Sequence, residues 1–381
     1  MVREVAPNLS YHYWYLGIRG LALNEEASPL VLVRGSEFQH SREIEMEDDE
    51  GHMGTATTKV SSYRTKASAS PSFTDKCRYL EGWEDIWLLL LGSDDGTSNH
   101  AVRKAETSTG SGIFKYTFKI NTNAPQDPYF CTLYNGFAKT SGDGYIYEDC
   151  LLSEFELSGS NEEAPTYTAT FNSNYPKVNE PNPARTIPST TIFPKSGDVK
   201  VYIAPVLEEG TYVIGTAGTG ETSIDSYEYP CYLDWNINVN NNLESVPCSG
   251  DDYGESTKVL GNREGTVKVT VPWTSTTKNL EKEFETGSTL ASAHDVTSEN
   301  VEKTVWIVMT GKTIGSSQLK YQTIIKIPKC VVTSAYSEQS GTDAKQIEWN
   351  ANIEESGSAS FIECEITTDL ADLHIDDTAN T

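Results

Sequence analysis

Met309-Thr-Gly-Lys-Thr313 contains the Gly-Lys-Thr triplet with which a phosphate-binding loop aims a lysine at terminal phosphates. Such a loop also needs a glycine five residues ahead of Gly311, and Trp306 stands there, so the run reads as a strand and turn. Gly215-Thr-Ala-Gly-Thr-Gly220 lacks the spacing and following helix of a dinucleotide fingerprint and reads as a loop. His12, His40, His52, His100, His294 and His374 are dispersed, with no HExxH and no pair one helical turn apart, so zinc-hydrolase chemistry has no ligand set. No Gly-x-Ser-x-Gly elbow positions a serine nucleophile. The acidic run Glu43 to Glu50 and the turns at Asp94-Asp95-Gly96 and Asp251-Asp252 offer oxygens to calcium, but none follows the EF-hand alternation, and they read as solvated loops. Paired carboxylates would suit a glycosidase, yet no pair is singled out. No residue earns a catalytic, cofactor or metal assignment.

The elements that carry these residues are mostly strands. In Leu151-Leu-Ser-Glu-Phe-Glu-Leu157, Leu151, Phe155 and Leu157 share one face and Glu154 and Glu156 the other, the period of two of a half-buried strand. Tyr167, Ala169 and Phe171 repeat the pattern after a turn, giving a hairpin. Trp235, Ile237 and Val239, then Val267, Val269, Val271 and Trp273, then Leu319 to Ile327, then Ile362, Cys364 and Ile366 continue it. A helix is expected from about Thr74 to Leu91, capped by Thr74 or Asp75 and closed at Gly92, and a shorter one from Lys278 to Glu285, closed at Gly287.

Composition narrows the function classes. In 381 residues, 55 carboxylates against 29 basic side chains give a net charge of −26, which repels phosphate backbones and anionic bilayers. Seven cysteines form no CxxC pair, and several lie in apolar strand-like runs, so a reducing compartment is expected. The first residues carry no apolar signal region, and the longest apolar run, Ile86 to Leu91, falls far short of the roughly 18 residues of a membrane span. A soluble protein made in a cytoplasm is expected.

The order of elements repeats. A strand, a helix and Gly92-Ser93 are matched by a strand, a helix and Gly287-Ser288, and Cys150-Leu-Leu-Ser153 and Cys330-Val-Val-Thr333 each open a hairpin. Tyr175 to Pro188 holds four prolines, which favour an extended crossover. The expectation is a mainly β chain of two tandem duplicated domains, residues 1–190, ending in the Pro-rich crossover, and 191–381.

Four stretches together resemble the tail tube proteins, or major tail proteins, of long-tailed bacteriophages and related archaeal tailed viruses. They are the basic, serine-rich strand and Leu-rich helix from Tyr63 to Ser93; His100-Ala-Val, leading to Pro128-Tyr-Phe-Cys-Thr-Leu-Tyr-Asn-Gly136; the Cys150 hairpin; and Trp235 to Glu244 followed by Gly261-Asn-Arg-Glu-Gly265 and Leu280 to Gly287. The resemblance implies β-sandwich or half-barrel domains, each flanked by a helix, and a structural protein rather than an enzyme, without cofactor. It implies stacked rings around a lumen through which DNA passes without specific binding, with tail terminator, tape measure and baseplate proteins as partners and the virion tail as location. Two domains per chain imply trimeric, pseudo-sixfold rings, with hexamers as the alternative. Glu154 and Glu156 are the candidate lumen-facing residues; Thr333 and Ala335 stand at their matching places in the second copy. The alternative function is a carbohydrate-binding or adhesive two-domain β protein, such as a virion decoration.

Overall fold

The computed structural model describes residues 12–19, 31–33, 37–49, 61–92, 102–105, 112–119, 129–137, 144–174, 176–180, 191–207, 210–247, 256–259, 261–287, 300–338, 345–355, 360–370 and 373. The first half holds β1 (His12–Arg19), β2 (Val31–Val33), β3 (Glu37–Asp49), β4 (Ser61–Lys76), α1 (Trp83–Leu91), β5 (Val102–Ala105), β6 (Phe114–Lys119), β7 (Phe130–Phe137), β8 (Gly144–Ser160), β9 (Thr166–Asn172) and β10 (Lys177–Glu180). The second holds β11 (Val199–Pro205), β12 (Thr211–Val213), β13 (Glu221–Ser223), β14 (Asp234–Asn240), β15 (Glu244–Pro247), β16 (Ser256–Val259), β17 (Glu264–Pro272), α2 (Lys278–Thr286), β18 (Glu302–Thr313), β19 (Lys320–Glu338), β20 (Gln346–Ile353) and β21 (Glu363–Thr368). The chain is mainly β, with a large antiparallel sheet. Among the described residues no helix is long and apolar enough to cross a membrane.

Eight strands lie side by side in the order β3, β4, β9, β8, β14, β17, β20, β19, every neighbouring pair antiparallel. β8 and β19 are long because each serves two neighbourhoods. The first part of β8 pairs with β7 and β10, and its second part with β9 and β14. The first part of β19 pairs with β18 and β21, and its second part with β20. β1 and β11 then extend β7 and β18. Among the described residues two strand ladders join the halves of the chain, β14 on β8 and β6 on β21.

The ladders repeat in detail. Leu152 and Glu154 of β8 pair with Phe171 and Thr170; Ser153 bulges between them, and its hydroxyl donates to the Thr170 carbonyl at 2.8 Å. Val332 and Ser334 of β19 pair with Ala351 and Asn350; Thr333 bulges, and its hydroxyl donates to the Asn350 carbonyl at 3.2 Å. Each residue of the second set lies 180 positions after its counterpart. Just past β4 the Cys77 amide donates to the Pro165 carbonyl at 3.0 Å, and just past β17 the Trp273 amide donates to the Lys345 carbonyl at 2.8 Å.

The core follows from the alternation. Trp14 of β1 stacks on Phe38 of β3 at 5.4 Å and on Tyr147 of β8 at 5.7 Å, and Phe73 of β4 stacks on Phe171 at 5.8 Å. α1 is buried along all nine residues. Its Trp83 and Trp87 pack on Phe155, and the Trp83 indole donates to the Thr323 hydroxyl at 3.0 Å, tying the helix to β19.

Two expectations are corrected. Residues from Thr74 to Lys76 belong to β4, not to a helix, because Phe73, Asp75, Cys77 and Tyr79 continue a buried period of two. Leu80 (φ 66°) and Gly82 (φ 90°) then turn the chain, and the Glu84 carboxylate accepts the Leu80 amide at 3.1 Å, so α1 starts only at Trp83. Asp75 is buried and ion-paired with Arg78 instead of capping. The acidic run is likewise strand from Glu43 to Asp49, held in β3 by its ladder to β4, where Glu45 lies opposite Lys66. Asp94-Asp95-Gly96, His100, Pro128, Asp251-Asp252, the prolines of the crossover from 181 to 188 and the acidic terminus from 374 lie outside the described residues.

Candidate assembly interface

One face of the eight-strand sheet is the core side just described. The opposite face carries Ser, Thr, Asn, Gln, Asp, Glu and Lys on every strand. Among the described residues its carboxylates are Glu37 and Glu43 on β3, Glu154 and Glu156 on β8, Asp234 on β14, Glu264 on β17 and Glu348 on β20, against Lys76 and Lys268. The uncharged residues knit neighbouring strands. The hydroxyls of Thr74 and Thr168 meet at 2.9 Å, and the Thr270 hydroxyl donates to Asp234 at 2.8 Å. Lys268 pairs with Glu348 at 2.8 Å; its hydrogen bond, helped by one from Asn350, holds the Glu348 carboxyl below the ordinary range.

Glu154 and Glu156 lie exposed on this face, as the alternation requires. Each accepts from an amide of β14: Asn238 donates to Glu154 at 3.1 Å and Asn236 to Glu156 at 2.6 Å. The positions that match them on β19 are Ser334 and Tyr336, which face Asn350 and Glu348 on β20 as the two glutamates face Thr170 and Thr168 on β9. Thr333 sits in the bulge and Ala335 is buried opposite Trp349, so neither shares the glutamates' face; because β8 has the same bulge at Ser153, the constant offset of 180 residues leads from the glutamates to Ser334 and Tyr336.

Both ends of the sheet are open among the described residues. Among the described residues β3 pairs with β4 alone, and β19 beyond Val331 pairs with β20 alone. A strand edge carries amides and carbonyls that will take another strand, and proteins guard such edges with charges or a covering element. At β19 the guard is visible. The Ser337 amide, directed away from β20, donates to the Glu281 carboxylate of α2 at 3.2 Å, and the Ser337 hydroxyl donates to the same oxygen at 2.7 Å. Phe284 of α2 meets the exposed Tyr336 ring edge-on at 5.4 Å. These edges were not legible in the sequence, because which strand lacks a neighbour depends on pairings more than a hundred residues apart.

Among the described residues no three His, Cys, Asp or Glu side chains are placed to hold a metal ion. Buried Cys77 and Cys364 have thiols pushed well up by burial, and Cys330 is pushed up to about 12 for the same reason, which suits packing rather than nucleophilic chemistry. No protein-family model and no curated protein matches the chain.

Proposed function

We propose that this chain is a structural, non-enzymatic subunit of a viral tail tube, built from two duplicated sandwich-type units that together supply two of the six positions in a ring. The observation that carries the reading is the eight-strand sheet with one polar, carboxylate-rich face and an open edge at each end. The strands alternate in direction, so a β3 placed beside β19 falls antiparallel to it, and head-to-tail addition continues the sheet without a break. Three copies would close a barrel well beyond the roughly 16–18 strands that already enclose a water-filled channel. Duplication is supported by the repeated bulge, the repeated hydroxyl contact and the repeated amide contact after β4 and β17.

In this assembly the polar face lines the lumen. Glu154 and Glu156 with their neighbours repel phosphates over a Debye length of about 8–10 Å at physiological salt, so duplex DNA passes without being held. The remaining partners are those of a tail: terminator, tape measure and baseplate proteins. Negative-stain electron microscopy of the purified chain at rising concentration, beside its mass in solution, tests the reading. Trimeric rings with an open lumen are expected; six-chain rings would keep the tube and remove the pseudo-sixfold arrangement, and a monomer under every condition would overturn both.

A further inference from the structure

The joint between β14 and β8 is a template for the joint between copies. On β14 the Asn241 amide donates to the Ser153 carbonyl of β8 at 2.8 Å, and the ladder places Asn241 opposite Ser153 in the same register as Ile237 opposite Leu157. Odd-numbered residues of β14 and β8 therefore exchange their hydrogen bonds across this joint. The position of Leu157 is held on β19 by Ser337, since each pairs two residues past its Phe155 or Ala335 partner on the following strand. The Ser337 amide does point outward, to Glu281. The same step through β4 and β17 sets Glu37 of β3 at the position of Asp234 and His40 at that of Ile237.

We propose that β3 of one copy of this chain adds to the second half of β19 of another, with His40 opposite Ser337, Ser41 opposite Tyr336 and Gln39 opposite Glu338, displacing the Glu281 carboxylate from the Ser337 amide. The proposal rests on the ring reading above and gives that ring its partner strands and register. Three features favour the occupant. Gln39 opposite Glu338 sets an amide residue across from an acidic one, as Asn238 lies across from Glu156 in the joint inside the chain. A slip of two residues would instead set Ser41 opposite Glu338 and Glu43 opposite Tyr336, losing that pair, and a slip of one would turn the polar face of β3 inward. Tyr336, 53% exposed, is the aromatic side chain that such an edge would cover.

Ser41 and Tyr336 form a pair that exchanges no backbone hydrogen bonds in this register, the closer kind of antiparallel pair, within disulfide reach. The test is oxidation of the S41C/Y336C chain in a C231S/C248S background at assembling concentration, beside S41C/E338C, which reports the two-residue slip. The expected result is a shift of S41C/Y336C from single-chain to multi-chain mass on non-reducing gels, lost when H40P is added, with S41C/E338C remaining single. H40P removes an outward-facing amide only, so its thermal midpoint should stay near that of the parent. Cross-linking of S41C/E338C instead would overturn the register. Rings by electron microscopy with neither pair cross-linked would overturn this joint and leave the ring reading standing. Single chains in both measurements would overturn the two together.

Discussion

The second halves of β8 and β19 have the same bulge, the same hydroxyl contact and the same ladder to the strand that follows, yet β8 is flanked on both sides and β19 on one. Their core sides differ to match. Behind β8 stand Phe155 and Leu157, both fully buried under α1, whose nine residues are all buried. Behind β19 the counterparts are Ala335 and Ser337, and α2, Lys-Asn-Leu-Glu-Lys-Glu-Phe-Glu-Thr, buries only Leu280. Where the chain completes the joint itself, burial of large apolar side chains makes it permanent. At the β19 edge the apolar part is small and a charged helix covers the strand, as the proposed joint between copies requires of a chain that is dispersed before it assembles.

Proline at matched positions breaks the comparison most sharply. Leu157→Pro removes an amide from the β14 joint and most of a buried side chain, and a loss of about 3–5 kcal/mol is expected, enough to unfold much of the chain at room temperature. Ser337→Pro removes the amide and the hydroxyl that donate to Glu281, and no large apolar side chain. Its chemical-denaturation midpoint should lie close to the parent's while rings disappear. Equal destabilisation by the two would mean that the β19 edge is already completed within one chain.

Charge reversal on the polar face comes next. Glu154→Lys with Glu156→Lys places about six lysines around a trimeric lumen, and assembled rings should then retain duplex DNA with an affinity that falls about a thousandfold between roughly 50 and 200 mM salt. Ser334→Lys tests whether β19 shares that face: it should add to the retention, whereas Thr333→Lys, in the bulge, should add less. Unchanged DNA retention in the double variant would show that the face lies outside the lumen.

Removing the guard has a smaller effect. Glu281→Ala frees the Ser337 amide at a cost of about 1 kcal/mol in the single chain, so the concentration at which rings appear, read by light scattering, should fall about fivefold. An unchanged or higher threshold would show that Glu281 holds α2 in place for the assembled state as well.

Much of this comparison lies beyond what side-chain periodicity can carry. The alternation from Glu154 to Leu157 is strong enough to place Glu154 and Glu156 on the polar face, and Gly287, with φ 71°, ends α2 where expected. The period fails where one residue is added. The bulge at Ser153 puts Leu152 rather than Leu151 beside Phe155 and Leu157, and the same bulge at Thr333 keeps the counterparts of the two glutamates 180 residues on, at Ser334 and Tyr336. It also fails from Glu43 to Asp49, where an acidic sequence that reads as a loop pairs with β4. The leucines of α1 dominate the window around them and draw the apparent helix back over the end of β4, where the alternation of Phe73, Asp75, Cys77 and Tyr79 includes a buried carboxylate that a hydrophobicity pattern cannot recognise.

The second joint within the chain, β6 on β21, buries Tyr116, Phe118, Cys364 and Ile366 on one face and carries a cluster of charges on the other. Lys326 of β19 reaches Glu363 at 2.9 Å and Glu365 at 2.6 Å on β21, and Lys115 of β6 reaches Glu365 at 2.7 Å. Burial alone would raise the Glu365 carboxyl, but Lys326 and Lys115 outweigh it and hold that carboxyl below the ordinary range; burial would lower Lys326, but Glu363 and Glu365 raise it. The depressed carboxylate contributes stability that is present above its unfolded value, about pH 4.3, and is lost as pH falls through the lower folded value. The raised ammonium contributes stability that is present below about pH 10.4 and is lost as pH rises through its higher folded value. Thermal midpoints should therefore be level across neutral pH and fall on the acid side below about pH 4. Lys326→Met should lower the midpoint at pH 7 by a few degrees, about 1 kcal/mol, and flatten that acid limb. Ring formation at pH 7 should change little in this variant, since the pair lies away from both open edges; a loss of rings as large as that caused by Ser337→Pro would make β21 part of the joint between copies.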